Sequence, residues 1–167
     1  MVVQVLADRC GARLSTHRQA RADVAEVRVG ALPGVRAVLA RPRTYMNTSG
    51  GPVAGLVGYY DVPLHQVVVV HDELDLPLGT LRLKQGGGDN GHNGLRSLRQ
   101  SLSSGDFARV RLGIGRPPGR MDPADFVLRP FAAGERDEAA VMVERAADAV
   151  ETLLTQGLEP AQNLYHG

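Results

Sequence analysis

Apolar positions along this chain fall into short blocks whose period switches between that of a helix and that of a strand. Val2, Val3, Val5, Leu6 and Leu14 fit one apolar helix face that begins at the first residue, with no capping side chain ahead of it. Ala22 to Val29, in loose alternation, and Val35 to Ala40 predict two strands, and the turn signal at Leu32, Pro33 and Gly34 joins them as a hairpin. Ser49 stands where a helix running to about Tyr60 would need a cap, and Pro63 breaks that pattern. Four consecutive valines, Val67 to Val70, read as a strand buried on both faces. Thr80 to Lys84 alternates as a further strand. Leu95 to Leu102 is helical in period, and Phe107 to Ile114 places Val110, Leu112 and Ile114 on one strand face. From Gly134 to about Leu154, Ala139, Met142, Val143, Ala146, Val150 and Leu153 recur at helical spacing, and the tail EPAQNLYHG is short and polar. Strands alternating with helices predict an α/β sandwich with a mixed sheet, in a single globular domain over residues 1–167.

Composition narrows the class. A chain of 167 residues with 43% hydrophobic and 22% charged residues buries a real core, and 20 glycines with 10 prolines imply many tight loops. The formal net charge of +1 conceals an asymmetry, because Arg96 to Arg120 is arginine-rich while Asp122 to Glu159 is acid-rich. A basic surface beside the glycine-rich segment follows. Cys10 is the single cysteine, which excludes an intramolecular disulfide and a zinc cluster and fits a reducing cytoplasm. No apolar stretch approaches the roughly 18 residues needed to cross a bilayer, and the opening MVVQVLADRCGARL is too polar for a signal peptide. The expectation is a soluble cytoplasmic protein.

Candidate chemistry concentrates between Val67 and Leu95. The valine strand runs directly into His71, Asp72, Glu73 and Asp75, and open α/β sheets bind ligands at the carboxyl ends of their strands, which makes Asp72 a candidate site residue. Its bland reading is a turn-forming aspartate. Lys84, Gly86, Gly87 and Gly88, then Gly91, His92, Asn93 and Gly94, lead into the next helix. Glycines let backbone approach a ligand closely, the helix N-terminus offers unpaired N–H groups, and His92 and Asn93 can hydrogen-bond a ligand or a water. The loop has neither the GK[ST] ending of a phosphate loop nor GxGxxG spacing, which disfavours a nucleotide-binding enzyme that would hold ATP phosphates on Lys84. A metal site from His71, Asp72, Glu73 and Asp75 conflicts with strand geometry, since adjacent residues point to opposite faces; no metal and no cofactor are expected. The segment RPRTYMNTSG, Arg41 to Gly50, reads equally as a capping loop or a site element. Arg109, Arg111, Arg116 and Arg120 stand as phosphate contacts or as solvated surface.

The strings RPRTYMNTSG, VVVVHDELDLPLG, LKQGGGDNGHNGLRS, FARVRLGIGRPPGR and DPADFVLRPF, in this order and spacing, resemble those of bacterial peptidyl-tRNA hydrolases. The likeness runs from about Ala40 to the end, and the first helix fits it. It implies a twisted mixed β-sheet flanked by helices, and a metal-free, monomeric enzyme that cleaves the ester joining a peptide to the terminal ribose of tRNA, recycling tRNA from stalled or prematurely released translation. Carried over by position, Asp72 is the carboxylate that orients the catalytic histidine, and Asn93 holds the attacking water or stabilises the oxyanion. Tyr45, Met46 and Asn47 line the cleft for the peptide and the terminal adenosine, with His92 at its flank, and Lys84 and Arg111 clamp the tRNA 5′-phosphate. The residue types suit ester hydrolysis: an imidazole poised by a carboxylate deprotonates water, and an amide with a helix-start N–H stabilises the tetrahedral intermediate. Clamping a phosphate selects RNA without reading bases.

Members of that family usually open with a strand ending in GLGNPG and a TRHN segment whose histidine is the base. Neither string occurs here, and His17, which follows the first helix, does not match it. The expectation is therefore a chain without the family's first strand and base histidine, with little or no hydrolase activity of its own and a sheet weakened by unpaired edges. The alternative reading is a catalytically inactive RNA- or protein-binding relative, like the plant organelle splicing factors that share the fold.

Overall fold

Residues 1–44, 48–122 and 130–166 are described by the computed structural model, in which the chain forms two compact units. The first is built mainly from Val3–Val68 and Gln85–Ala108. Helix α1, Val2–Arg9, starts behind Met1 without a side-chain cap, as the sequence predicts. The predicted hairpin is present: β2 (Ala22–Val29) pairs antiparallel with β3 (Val35–Pro42), in a register that sets Val24 against Ala40 and Val29 against Val35. Gly34 closes the turn at φ +74°, where a Cβ would meet the Cβ of Arg28 and the carbonyl of Val29 at 3.2 Å each. A two-residue strand not foreseen from the sequence, β1 (Ser15–Thr16), completes the sheet on the other side of β2. Ala22 and Val24 of β2 form a core with Leu56 of helix α2, Gly50–Tyr59. Ser49 occupies the N-cap position of α2, but no side-chain cap bond forms. Its backbone is already helical, with φ −68° and ψ −20°, whereas a capping side chain reaches the first N–H groups from an extended backbone.

Helix α3, Asn93–Leu102, packs against α2 at a close approach. The amide of Gly50 donates to Ser97 Oγ at 2.8 Å, and a Cβ on Gly50 would lie 2.2 Å from the Ser97 carbonyl. Only glycine allows that spacing.

The second unit contains Val69–Lys84 and the chain from Arg109 onward. Strands β4 (Val68–Glu73), β5 (Leu81–Gln85) and β6 (Ala108–Gly113) form a sheet in the order β4-β6-β5. The bonds Ala108 N to Val67 O and Ile114 N to Glu73 O advance together, so β4 and β6 are parallel. The bonds Gly113 N to Thr80 O and Gly86 N to Phe107 O run in opposite senses, so β5 and β6 are antiparallel and the sheet is mixed. Leu81, Leu83, Ala108, Val110 and Leu112 are its buried apolar residues. Helix α4, Arg136–Gln156, is followed at Gly157 by α5, Leu158–Tyr165, so the polar tail read from the sequence is helical. Leu83 explains what that helix does. Its N–H donates to His166 Nε2 at 2.8 Å and its carbonyl accepts from Gln162 Nε2 at 3.0 Å, which covers the outer edge of β5.

The α/β class and the flanking helices match the sequence reading, with two differences. The described strands make two three-stranded sheets, β1-β2-β3 and β4-β6-β5, instead of one. The valines 67–70 are half-buried, not buried on both faces, while His71 and Glu73 beyond them are buried. Strand β4 lies at the edge of its sheet, and an edge strand is covered less completely than a central one.

Candidate active site

The glycine segment forms a loop held by Asp89. Gly86, Gly87, Asn90 and Gly91 all have positive φ, the conformations that a tight left-handed path requires. Asp89 Oδ1 accepts from the Gly91 amide at 3.1 Å, and Oδ2 accepts from Arg99 Nη1 at 3.2 Å with Arg96 close by. The Gly91 N–H foremost holds the Asp89 carboxyl below the usual aspartate range; burial opposes it, and Arg96 and Arg99 add to the lowering. The His92 amide donates to the Asp89 carbonyl at 2.8 Å, which ties the loop to the start of α3.

His92 is the N-cap of α3. Its backbone is extended, with φ −76° and ψ 116°, and its Nδ1 accepts from the Leu95 amide at 3.1 Å. A ring that accepts at Nδ1 carries its proton, when neutral, at Nε2. Asn93 is the first residue of the helix and is exposed, beside backbone N–H groups that a helix start leaves without intrahelical partners.

Strand alternation divides the two acidic residues of β4. Asp72 and Glu73 are consecutive, so they project to opposite faces of the sheet. His71, whose Nδ1 lies 2.7 Å from the Asp72 carbonyl oxygen, belongs to the Glu73 face. On that face, Nε and Nη2 of Arg111 both donate to Glu73 Oε1, at 3.2 and 2.7 Å. The pair is largely buried, with side-chain exposures of 18% for Arg111 and 8% for Glu73.

The β5–β6 register sets Arg109 opposite Lys84 and Arg111 opposite Arg82, which places four cations on the sheet face that carries Glu73. Burial foremost, then the charges of Arg111 and Arg109, push the Lys84 ammonium below the usual lysine range, and Glu73 partly offsets them. Arg109 is fully buried, which separates it from the surface arginines among which the sequence placed it.

Of the residues named from the sequence, Lys84 and Arg111 therefore share one cationic face, and His92 and Asn93 share one helix start. Asp72 lies on the other face of β4. Tyr45, Met46 and Asn47 lie outside the described residues; Thr44 and Thr48 on either side of them border a cavity of about 370 Å³ with Arg21 and Pro52. Of the four-residue metal set considered above, Glu73 is paired with Arg111 and Asp75 with Arg116. Glu73 was missed as a partner of the basic residues. The period-two reading of HDE against ARVRLG carries the signal, but only the parallel pairing of β4 with β6 brings the two together.

A mixed α/β sheet with one cationic face, and a glycine loop leading into a histidine-capped helix, mark the class of protein. The sequence profile of the peptidyl-tRNA hydrolase family matches residues 1–167. The peptidyl-tRNA hydrolase of Frankia alni is 61% identical over 166 residues, spanning 99% of this chain and 82% of that protein. That of Nocardia farcinica is 57% identical over 166 residues, spanning 99% and 84%. The crystal structure of peptidyl-tRNA hydrolase from Acinetobacter baumannii has a TM-score of 0.86 at 32% identity, covering 99% of this chain and 84% of that one. The chain belongs to the peptidyl-tRNA hydrolase family of enzymes. Among the described residues, no helix is long and apolar enough to cross a membrane.

Proposed function

We propose that this chain serves the hydrolysis of the ester between a peptide and the terminal ribose of tRNA, releasing tRNA for reuse, as a cytoplasmic monomer. The observation that carries this reading is the cationic face of β5 and β6, with Lys84 and Arg111 on adjacent strands, in a chain 61% identical to a named peptidyl-tRNA hydrolase. Lys84 and Arg111 take the tRNA 5′-phosphate, a contact that positions the substrate without reading sequence. Asn93, exposed at the start of α3, holds the attacking water or the oxyanion, where an amide N–H and the helix-start dipole both favour negative charge. By its place in the family pattern Asp72 is the carboxylate that orients the base imidazole, a role to which no histidine of residues 1–167 is assigned. Tyr45, Met46, Asn47 and His92 receive the peptide and the terminal adenosine.

The family's TRHN string has no match among residues 1–167, so the test pairs turnover with a readout independent of it. Release of peptide from peptidyl-tRNA is measured for this chain and for its Asp72→Asn and Asn93→Ala forms, and tRNA affinity is measured for all three. Tight tRNA binding, with any peptide release falling about a hundredfold or more in both variants, supports the assignment. Absence of tRNA binding, or variants that release peptide at the parent rate, removes it.

A further inference from the structure

Arg82, Lys84, Arg109 and Arg111 share one sheet face with the carboxylate of Glu73, and an acid beside an anion site weakens that site unless its charge is engaged. Glu73 is engaged in a particular way. Its Oε1 receives both Nε and Nη2 of Arg111, its backbone carbonyl accepts from Ile114 N at 3.1 Å at the end of the same β6, and its side chain is only 8% exposed. Held along one edge by a nearly buried acceptor, the guanidinium plane is fixed, and Nη1 makes no hydrogen bond among the described residues. A long flexible cation becomes an oriented donor, a preorganisation that point-charge lysine cannot provide.

From this geometry we infer that Glu73 is a positioning residue of the phosphate site: it orients Arg111, and thereby sets the preference for tRNA bearing a 5′-phosphate. The inference rests on the assignment of Lys84 and Arg111 to that phosphate. It runs against the sign of simple electrostatics. Removing a negative charge from a cationic face strengthens anion binding if Glu73 is only a counter-charge, and weakens selective binding if its function is to aim the guanidinium.

The experiment measures dissociation constants of deacylated tRNA carrying either a 5′-phosphate or a 5′-hydroxyl, for the parent chain, Glu73→Gln, Arg111→Lys, Arg111→Gln and the Glu73→Gln/Arg111→Lys pair, with thermal melts to verify folding. Glu73→Gln is expected to cut the 5′-phosphate preference about tenfold while affinity for 5′-hydroxyl tRNA holds or rises, because charged hydrogen bonds of this kind carry effects of about that size. Arg111→Lys, which retains both charges but lacks the two-donor edge, is expected to lose the preference to the same degree, with no further loss in the double variant. That arm carries the test should Glu73→Gln fail to fold. A Glu73→Gln form that binds both tRNAs more tightly and keeps its preference overturns the positioning function, as does an Arg111→Lys form with parental preference. If Arg111→Gln also leaves the preference intact, the phosphate assignment itself falls, and with it the inference.

Discussion

Lys84 lies directly opposite Arg109 across the β5–β6 ladder, two cations in register with the arginine fully buried. Like charges facing each other across strands destabilise a sheet, so this pair is retained at a cost to the fold. The Lys84 ammonium is depressed foremost by burial, with the charges of Arg111 and Arg109 adding to it. Its proton is held less tightly in the folded chain than in the unfolded one, so between its folded value and the ordinary 10.5 the unfolded chain binds more protons and stability rises with pH. The destabilisation is fully present below that folded value. Lys84→Met is therefore expected to raise the melting temperature at pH 7, by a margin that shrinks towards pH 10.5. The same variant is expected to weaken tRNA binding and to lower the slope of log affinity against log salt by about one, the signature of one lost phosphate contact. A variant that melts lower and keeps the parental salt slope would place Lys84 in the structural framework instead.

Much of this face was legible in the sequence. Alternation in ARVRLG and LRLK puts Arg109 with Arg111 and Arg82 with Lys84, because a strand has a period of two regardless of context. The partner strands were not legible. Glu73 meets Arg111 only because β6 inserts between β4 and β5, a long-range pairing that local pattern does not encode. The same limit explains the valines 67–70, whose composition matches a central strand while their position is at an edge. The sequence pattern puts candidate chemistry at the α3 start, but the use of His92 as a cap was not legible there, since histidine is not among the usual capping residues.

That cap gives a second prediction. His92→Ala removes the acceptor for the Leu95 amide and is expected to cost about 0.5–2 kcal/mol of stability, as loss of an N-cap does. His92→Asn, whose side-chain oxygen can take the same amide, is expected to recover most of it in denaturant titration. Equal losses in the two variants would mean that the imidazole stabilises the loop by packing.

Gly50 supplies a third. A methyl group there would meet the Ser97 carbonyl at 2.2 Å and Ser101 Oγ at 2.5 Å, so α2 and α3 must move apart to admit it. Gly50→Ala is expected to destabilise the fold by about 1–3 kcal/mol, the usual range for overpacking, and to disturb α3. Denaturant titration checks the first, and amide hydrogen exchange along Asn93–Leu102 checks the second.

Asp89 joins the glycine loop to α3, and its charge state is open to titration. Its carboxyl is held below the usual aspartate value of 3.8 by the Gly91 amide and by Arg96 and Arg99, so the folded chain keeps it ionised more readily than the unfolded chain does. The resulting stabilisation is fully present above pH 3.8 and is lost as pH falls through the lower folded value. Asp89→Asn is therefore expected to lower stability at neutral pH and to approach the parent in strong acid, where the parent is protonated as well. Exchange of the Gly91 amide follows the local event: in the parent it should accelerate on acidification relative to its intrinsic rate, and in the variant that dependence on the carboxyl's charge should be absent. A variant matching the parent at pH 7 would show that the loop is held by its backbone turns alone, because the carboxylate would then add nothing that an amide does not.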